Sequence, residues 1–163
     1  MQLSEKYKTK DLGHGHRKSG DTVTEIIIHH SWTRSVTSCI RALRSNGCST
    51  HFMIDRDGIV YSLLDEKYVA WHCVSHNARS LGIDLIRGSG QEITTDQYES
   101  LNELVKYLCN KYQIHDPELH KRGVFFHRDL RSTQCPGEID ETQLHFEGTS
   151  NGGLRITNSD QRH

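Results

Sequence analysis

Short apolar runs separated by polar, turn-forming clusters dominate the middle of the chain, and longer stretches of helical period sit between them. Residues 23–29, 51–55, 59–63, 81–86 and 124–127 are rich in β-branched and aromatic side chains and read as strands. Asp57-Gly58 supplies a hairpin turn between the second and third. Tyr98, Leu101, Leu104, Val105, Leu108 and Tyr112 form a helical stripe, and Thr94-Thr95-Asp96-Gln97 ahead of it has the form of a capping box. That helix is expected to pack on a sheet. Shorter helices are predicted over 35–45, with Cys39, Ile40 and Leu43 inward, and over 140–146. Strands interleaved with helices indicate an α/β layer structure, and the hairpin requires one antiparallel pair, so a mixed β-sheet flanked by helices is predicted.

The ends lack this patterning. Residues 1–20 are polar with little periodicity, and residues 147–163 are polar and turn-rich, so both are expected to be loose around one folded domain over 21–146. A chain of 163 residues suits a single core. With 20 basic against 21 acidic residues, nothing predicts a surface for nucleic acid or anionic lipid. No apolar stretch approaches a membrane helix, and residues 1–20 lack a signal-peptide core, so the expectation is a cytoplasmic product without a membrane anchor. Nothing argues against a monomer. The five cysteines are an odd number without a dense framework, which suits a reducing compartment; Cys39 and Cys48 flank a predicted helix but are not expected to be bridged. Of the twelve histidines, most read as solvated, particularly in Gly13-His14-Gly15-His16 and at His163.

Chemistry appears where two strands end. Ile26-Ile27-Ile28 runs into His29-His30, and Val124-Phe125-Phe126 runs into His127. The carboxyl edge is where α/β sheets place their sites. Alternation puts His29 on the face of Ile27 and His127 on the face of Phe125, so neighbouring strands would aim both rings at one spot, with His30 facing the other way. Eight residues beyond His127, Cys135-Pro136-Gly137 can return a thiolate there. Two imidazoles and a thiolate give one zinc ion three protein ligands and leave a fourth position for water, the arrangement of a catalytic site.

Taken singly, each of these residues has a plainer reading: a histidine after an apolar strand is usually a hydrogen-bonded boundary residue, and a lone cysteine a small buried hydrophobe. His127-Arg128-Asp129-Leu130-Arg131 also matches the opening of a protein-kinase catalytic loop. The context excludes a kinase, because the glycine-rich phosphate loop, the Asp-Phe-Gly motif and the length for two lobes are missing.

Four segments together carry a family resemblance: IIIHHS at 26–31, STHFMIDRDGIVY at 49–61, Ala70-Trp71-His72 through Asn77 to SLGIDL at 80–85, and FHRDLRSTQCPG at 126–137. In that order they resemble the zinc-dependent N-acetylmuramoyl-L-alanine amidases, which share a fold with phage endolysins and peptidoglycan recognition proteins. The resemblance covers about residues 24–140. It implies His29, His127 and Cys135 as zinc ligands, peptidoglycan as partner, and a groove that includes Thr50, Trp71 and Asn77.

The departures bear on mechanism. Phage relatives often place a catalytic tyrosine where this chain has Thr50, and other relatives a glutamate where it has Asp84. Asp84 is therefore the expected general base and acid for the water proton. Thr133 stands where many relatives have lysine and is expected to donate to the developing oxyanion, with His72 as a second donor. The implied reaction is hydrolysis of the amide between N-acetylmuramic acid and L-alanine by zinc-activated water. The settings that share it are a bacteriolytic phage endolysin released through a pore, a cytoplasmic wall-recycling amidase, and a delivered antibacterial toxin. The endolysin is favoured on size. The rival from another class is a recognition module that grips peptidoglycan without cutting it; such modules commonly lack the third ligand, which Cys135 supplies here.

Overall fold

The computed structural model describes residues 1–146 and the short strand Thr157–Asn158. In chain order the elements are β1 (Gln2–Ser4), β2 (His14–His16), β3 (Glu25–His30), α1 (Val36–Asn46), β4 (Phe52–Ile54), β5 (Val60–Ser62), β6 (Tyr68–Ala70), a 3-10 turn (Val74–Arg79) and β7 (Ser80–Leu85). They continue with α2 (Thr95–Lys111), β8 (Glu118–Leu119), β9 (Gly123–Phe126), α3 (His127–Leu130), a second 3-10 turn (Glu141–Gln143) and β10 (Thr157–Asn158). Eight strands form one sheet in the order β10-β1-β5-β4-β7-β3-β9-β8. Only β4 and β5 run antiparallel in it, through the Asp57-Gly58 turn, so the sheet is mixed as the hairpin required.

Each face of the sheet is covered by one helix. β3 and β7 lie at the centre and are buried along their whole length, which explains continuous apolar runs in place of alternation. Ile26, Ile28, Ile83, Leu85 and Phe126 pack with the α2 stripe of Tyr98, Leu101, Leu104, Val105 and Leu108. Each such side chain contributes about 1.5–3 kcal/mol on burial. The capping box is present: Thr94 Oγ1 accepts from Gln97 N (3.0 Å) and Gln97 Oε1 from Thr94 N (3.1 Å). Gln97 is fully buried and also donates to the carbonyls of Ile54 (3.0 Å) and Ile86 (2.8 Å), which ties the helix start to the sheet. On the other face α1 packs Val36 and Cys39 against Met53, Leu63, Ile86 and Leu12.

Two expectations fail. Residues 140–146 form only a 3-10 turn, Glu141–Gln143, where Asp140 accepts from Thr142 N and Gln143 Nε2 and so competes with a continuing helix. Residues 1–20 are not loose. β1 pairs with β5, Leu12 is 2% exposed beside α1, and β2 pairs antiparallel with β6. Backbone pairing needs no apolar side chain, so polar composition did not reveal it. The predicted tail lies outside the described residues, apart from Thr157–Asn158, which pair with β1. All five cysteines are free.

Candidate functional site

β3 and β9 are parallel neighbours with Ile27 opposite Phe125 and Ile28 opposite Phe126, so the next step in each strand brings His29 beside His127. His29 Nδ1 and His127 Nδ1 are 3.1 Å apart, and Cys135 Sγ is 3.7 Å from His29 Nδ1. The ligating atoms of the three side chains lie within 4.8 Å of one another. The loop carrying Cys135 is tied back by Arg128 N donating to the Cys135 carbonyl (2.9 Å) and by His30 N donating to Cys135 Sγ (3.4 Å). The His30 ring turns the other way, as alternation predicts, and lies against the Trp32 ring (4.4 Å). Asp129 of the kinase-like string is structural: its carboxylate accepts from Phe126 N (2.8 Å) and pairs with His120.

The electrostatics suit a cation. Burial, with help from nearby His127, lowers His29 to about 3, so its imidazole is neutral and its lone pair available. Burial pushes the Cys135 thiol up to about 12. Only a strong adjacent positive charge makes such a thiol a thiolate near neutral pH. Two neutral imidazoles and a sulfur that needs a metal's charge are a donor set that fits zinc.

His72 lies behind the cluster. Its Nδ1 is 2.8 Å from His29 Nε2, and its Nε2 is 2.9 Å from Ser80 Oγ. If His29 presents Nδ1 to a metal, its Nε2–H donates to His72, and His72 in turn donates to Ser80. Such partners set the tautomer and orientation of a ligating histidine. His72 is expected as a donor to substrate; in the structure both of its ring nitrogens have protein partners, His29 and Ser80. Ser80 had no signal in the sequence.

Asp84 is opposite His29 in the β3–β7 register and is 6% exposed. Burial raises its pKa to about 7, opposed by the Thr50 hydroxyl and the Cys39 thiol. Cys39 Sγ donates to Asp84 Oδ2 at 3.8 Å, whereas Thr50 makes no hydrogen bond of normal length and acts as a nearby dipole. Neither Arg79 nor Arg87 forms an ion pair with Asp84: Arg79 pairs with Glu25, and Arg87 donates to the Glu138 carbonyl.

The expected groove residues divide. Trp71 is 44% exposed. Thr50 is fully buried and does not line a groove: Thr50 Oγ1 and His72 Nδ1 stand 2.8 and 2.9 Å from where a Cβ on Gly82 would be. Only a glycine at 82 admits both. Asn77 Oδ1 accepts from His72 N (3.2 Å) and Cys73 N (2.7 Å), so it shapes the turn that carries His72. Thr133 is exposed, and its hydroxyl accepts from Cys135 N (3.2 Å).

The N-terminal strand reaches the same region. Trp71 packs on Gly13 and Gly15, where a Cβ on Gly13 would lie 2.7 Å from the indole. Ser49 Oγ donates to the Gly13 carbonyl (2.6 Å) and accepts from Trp71 N (2.8 Å). Arg17 donates to the carbonyls of Glu66 (3.1 Å), Ala78 (2.7 Å) and Ser80 (3.2 Å), clasping both flanks of the His72 turn. The alternate glycines of Gly13-His14-Gly15-His16 were the available signal, because they strip one face of a short strand of side chains.

Residues 19–138 match the family described as N-acetylmuramoyl-L-alanine amidase. The chain belongs to that family. Among solved structures, the endolysin N-acetylmuramoyl-L-alanine amidase LysCS from Clostridium intestinale URNW superposes with a TM-score of 0.67 at 29% identity, covering 85% of this chain and 88% of that one. Drosophila peptidoglycan-recognition protein LB shares the fold, with a TM-score of 0.62 at 23% identity over 84% of this chain and 88% of that chain. In sequence, peptidoglycan-recognition protein LB of Drosophila melanogaster is 28% identical over 128 residues, 69% of this chain and 53% of the relative. The chain thus spans about half the length of that curated relative. The amidase family and its fold are those that the four motif segments implied. Among the described residues, no helix is long and apolar enough to cross a membrane.

Proposed function

We propose that this amidase-family chain is a zinc-dependent peptidoglycan hydrolase that cleaves the amide between N-acetylmuramic acid and the L-alanine of the stem peptide. The observation that carries the reading is the convergence of His29, His127 and Cys135 at the strand ends, with Asp84 in register beside His29. These three side chains would hold the metal. A zinc ion there supplies Lewis acidity at the scissile carbonyl and lowers the pKa of a water toward roughly 7.

The chain's own residues do the rest. Asp84 takes the proton of the attacking water on its carboxylate and delivers it to the leaving alanine nitrogen; its burial raises its affinity for that proton, which favours holding it between the two transfers. His72 and Ser80 keep His29 in the ligating tautomer. Thr133 still has a hydroxyl proton to donate to the developing oxyanion while it accepts from Cys135 N. Trp71 borders the groove, with Thr50 and Asn77 supporting its floor and turn. Likeness to the Clostridium endolysin amidase supports a wall-lytic role of endolysin type.

The test is a digest of purified peptidoglycan analysed for new amino-terminal alanine. We expect its release, its loss on strong chelation, and recovery with zinc. Activity indifferent to chelation would remove the metal from the mechanism. Wall binding with no new alanine would favour a non-catalytic recognition module.

A further inference from the structure

A groove of about 750 Å³ opens between Trp32, the Arg87 turn and the loop that follows Cys135. It begins where the proposed centre ends, since Trp32 lies three residues beyond His29 and Gln134 adjoins Cys135.

Trp32 is held there against its preferences. Its φ of 54° lies in the left-handed region, which is strained for a bulky side chain, and the residue is 57% exposed although burial would favour an indole. The turn around it is fastened by Ser31, whose hydroxyl accepts from Thr33 N (3.1 Å) and Arg87 N (3.0 Å). The ring is backed by His30, and the Arg87 guanidinium lies 6.0 Å from its centre. Strain that presents an apolar ring to solvent beside a groove points to a ligand.

The rest of the lining says which kind. Gln91, Gln134 and Gln143 carry amides, while Glu92, Glu138 and Asp140 outnumber Arg87, the one basic residue of the wall among the described residues. An anionic stem peptide would meet repulsion in such a wall. A neutral N-acetylated sugar would not: its apolar C–H face stacks on an aromatic ring, and its hydroxyl and acetamido groups pair with amides and carboxylates. We propose that this groove is a saccharide subsite, in which a neutral pyranose of the glycan strand stacks on Trp32 and hydrogen-bonds to the 134–143 loop. The identity of the sugar rests on the peptidoglycan reading above; the aromatic and polar chemistry of the groove does not.

The experiment titrates the zinc-loaded full chain with a soluble N-acetylglucosamine tetramer, which contains no amide joined to a stem peptide and so reports binding apart from turnover. Binding is followed by calorimetry and indole fluorescence. Saturable binding is expected, weakened about tenfold by Trp32→Ala and less by Trp32→Phe, which keeps an aromatic face. Gln134→Ala should weaken it by a smaller factor, and it leaves the strained turn untouched should Trp32→Ala misfold. Unchanged affinity in a folded Trp32→Ala protein would overturn the subsite. So would a tetramer that fails to bind while an L-alanyl-D-glutamyl stem peptide binds in a Trp32-dependent way. Trp32-dependent sugar binding by a protein that releases no amino-terminal alanine would sink the amidase reading and leave the subsite standing.

Discussion

The carboxyl ends of β3 and β9, which bring His29 beside His127, and strand β2, which beds Trp71, are built on different physics. The strand ends are placed by side chains: β3 and β9 each drive apolar runs into the core, so the residue after each run has a determined face and depth. β2 is placed by its backbone. It pairs with β6; Gly15 within it and Gly13 just before it form a bare bed for Trp71, and Arg17 just after it donates to three carbonyls. A side-chain-determined region carries its chemistry in its residue types. A backbone-determined region contributes position, and its polar composition conceals that.

The comparison predicts a gradient of effects. Cys135→Ser removes the sulfur that completes the donor set, so zinc content should fall to background and turnover with it; a stoichiometrically loaded, active variant would break the ligand assignment. Next, Asp84→Asn keeps the shape but cannot accept a proton, and a rate loss on the order of 10² to 10⁴ is expected at full zinc occupancy. Near-normal turnover would make the carboxylate structural.

The same substitution has a stability signature in chelator-treated protein. Burial raises Asp84 from its ordinary 3.8 to about 7, so the folded state prefers the proton. That preference is fully favourable below about pH 4 and is lost as pH rises through about 7. Asp84→Asn, which never ionises, should therefore gain on the parent between about pH 4 and 7 and stay level above, by at most a few kcal/mol. Thermal melts at both ends of that window measure it. A difference independent of pH would mean that Asp84 is not held neutral.

The smallest effect belongs to the backbone-built region. Gly13→Val sets a side chain into the indole of Trp71, for which roughly 1–3 kcal/mol is expected, with altered tryptophan emission as the ring leaves its bed. Zinc content should not change, because Gly13 touches none of the three ligands. Parent-like melting and emission would show that β2 does not hold Trp71 as described, and lost zinc would mean that the two regions are not separable.

What the sequence determined by itself follows from patterns that survive without long-range information. Alternation and apolar runs assigned β3, β7 and β9, the spacing of α2 with its capping box assigned the main helix, and the strand-end histidines with Cys135 suggested one metal centre. Each of these depends on a residue's own chemistry and its near neighbours. Only the tertiary structure decided how the support was arranged. Thr50 and His72 both looked like groove residues in their strings; one is sealed above Gly82, and the other has both ring nitrogens taken by His29 and Ser80. Those partners are 43 and 8 residues away from His72. The role of a polar side chain is set by which hydrogen-bonding groups the fold brings within about 3 Å, and the sequence order of two distant segments does not encode that distance.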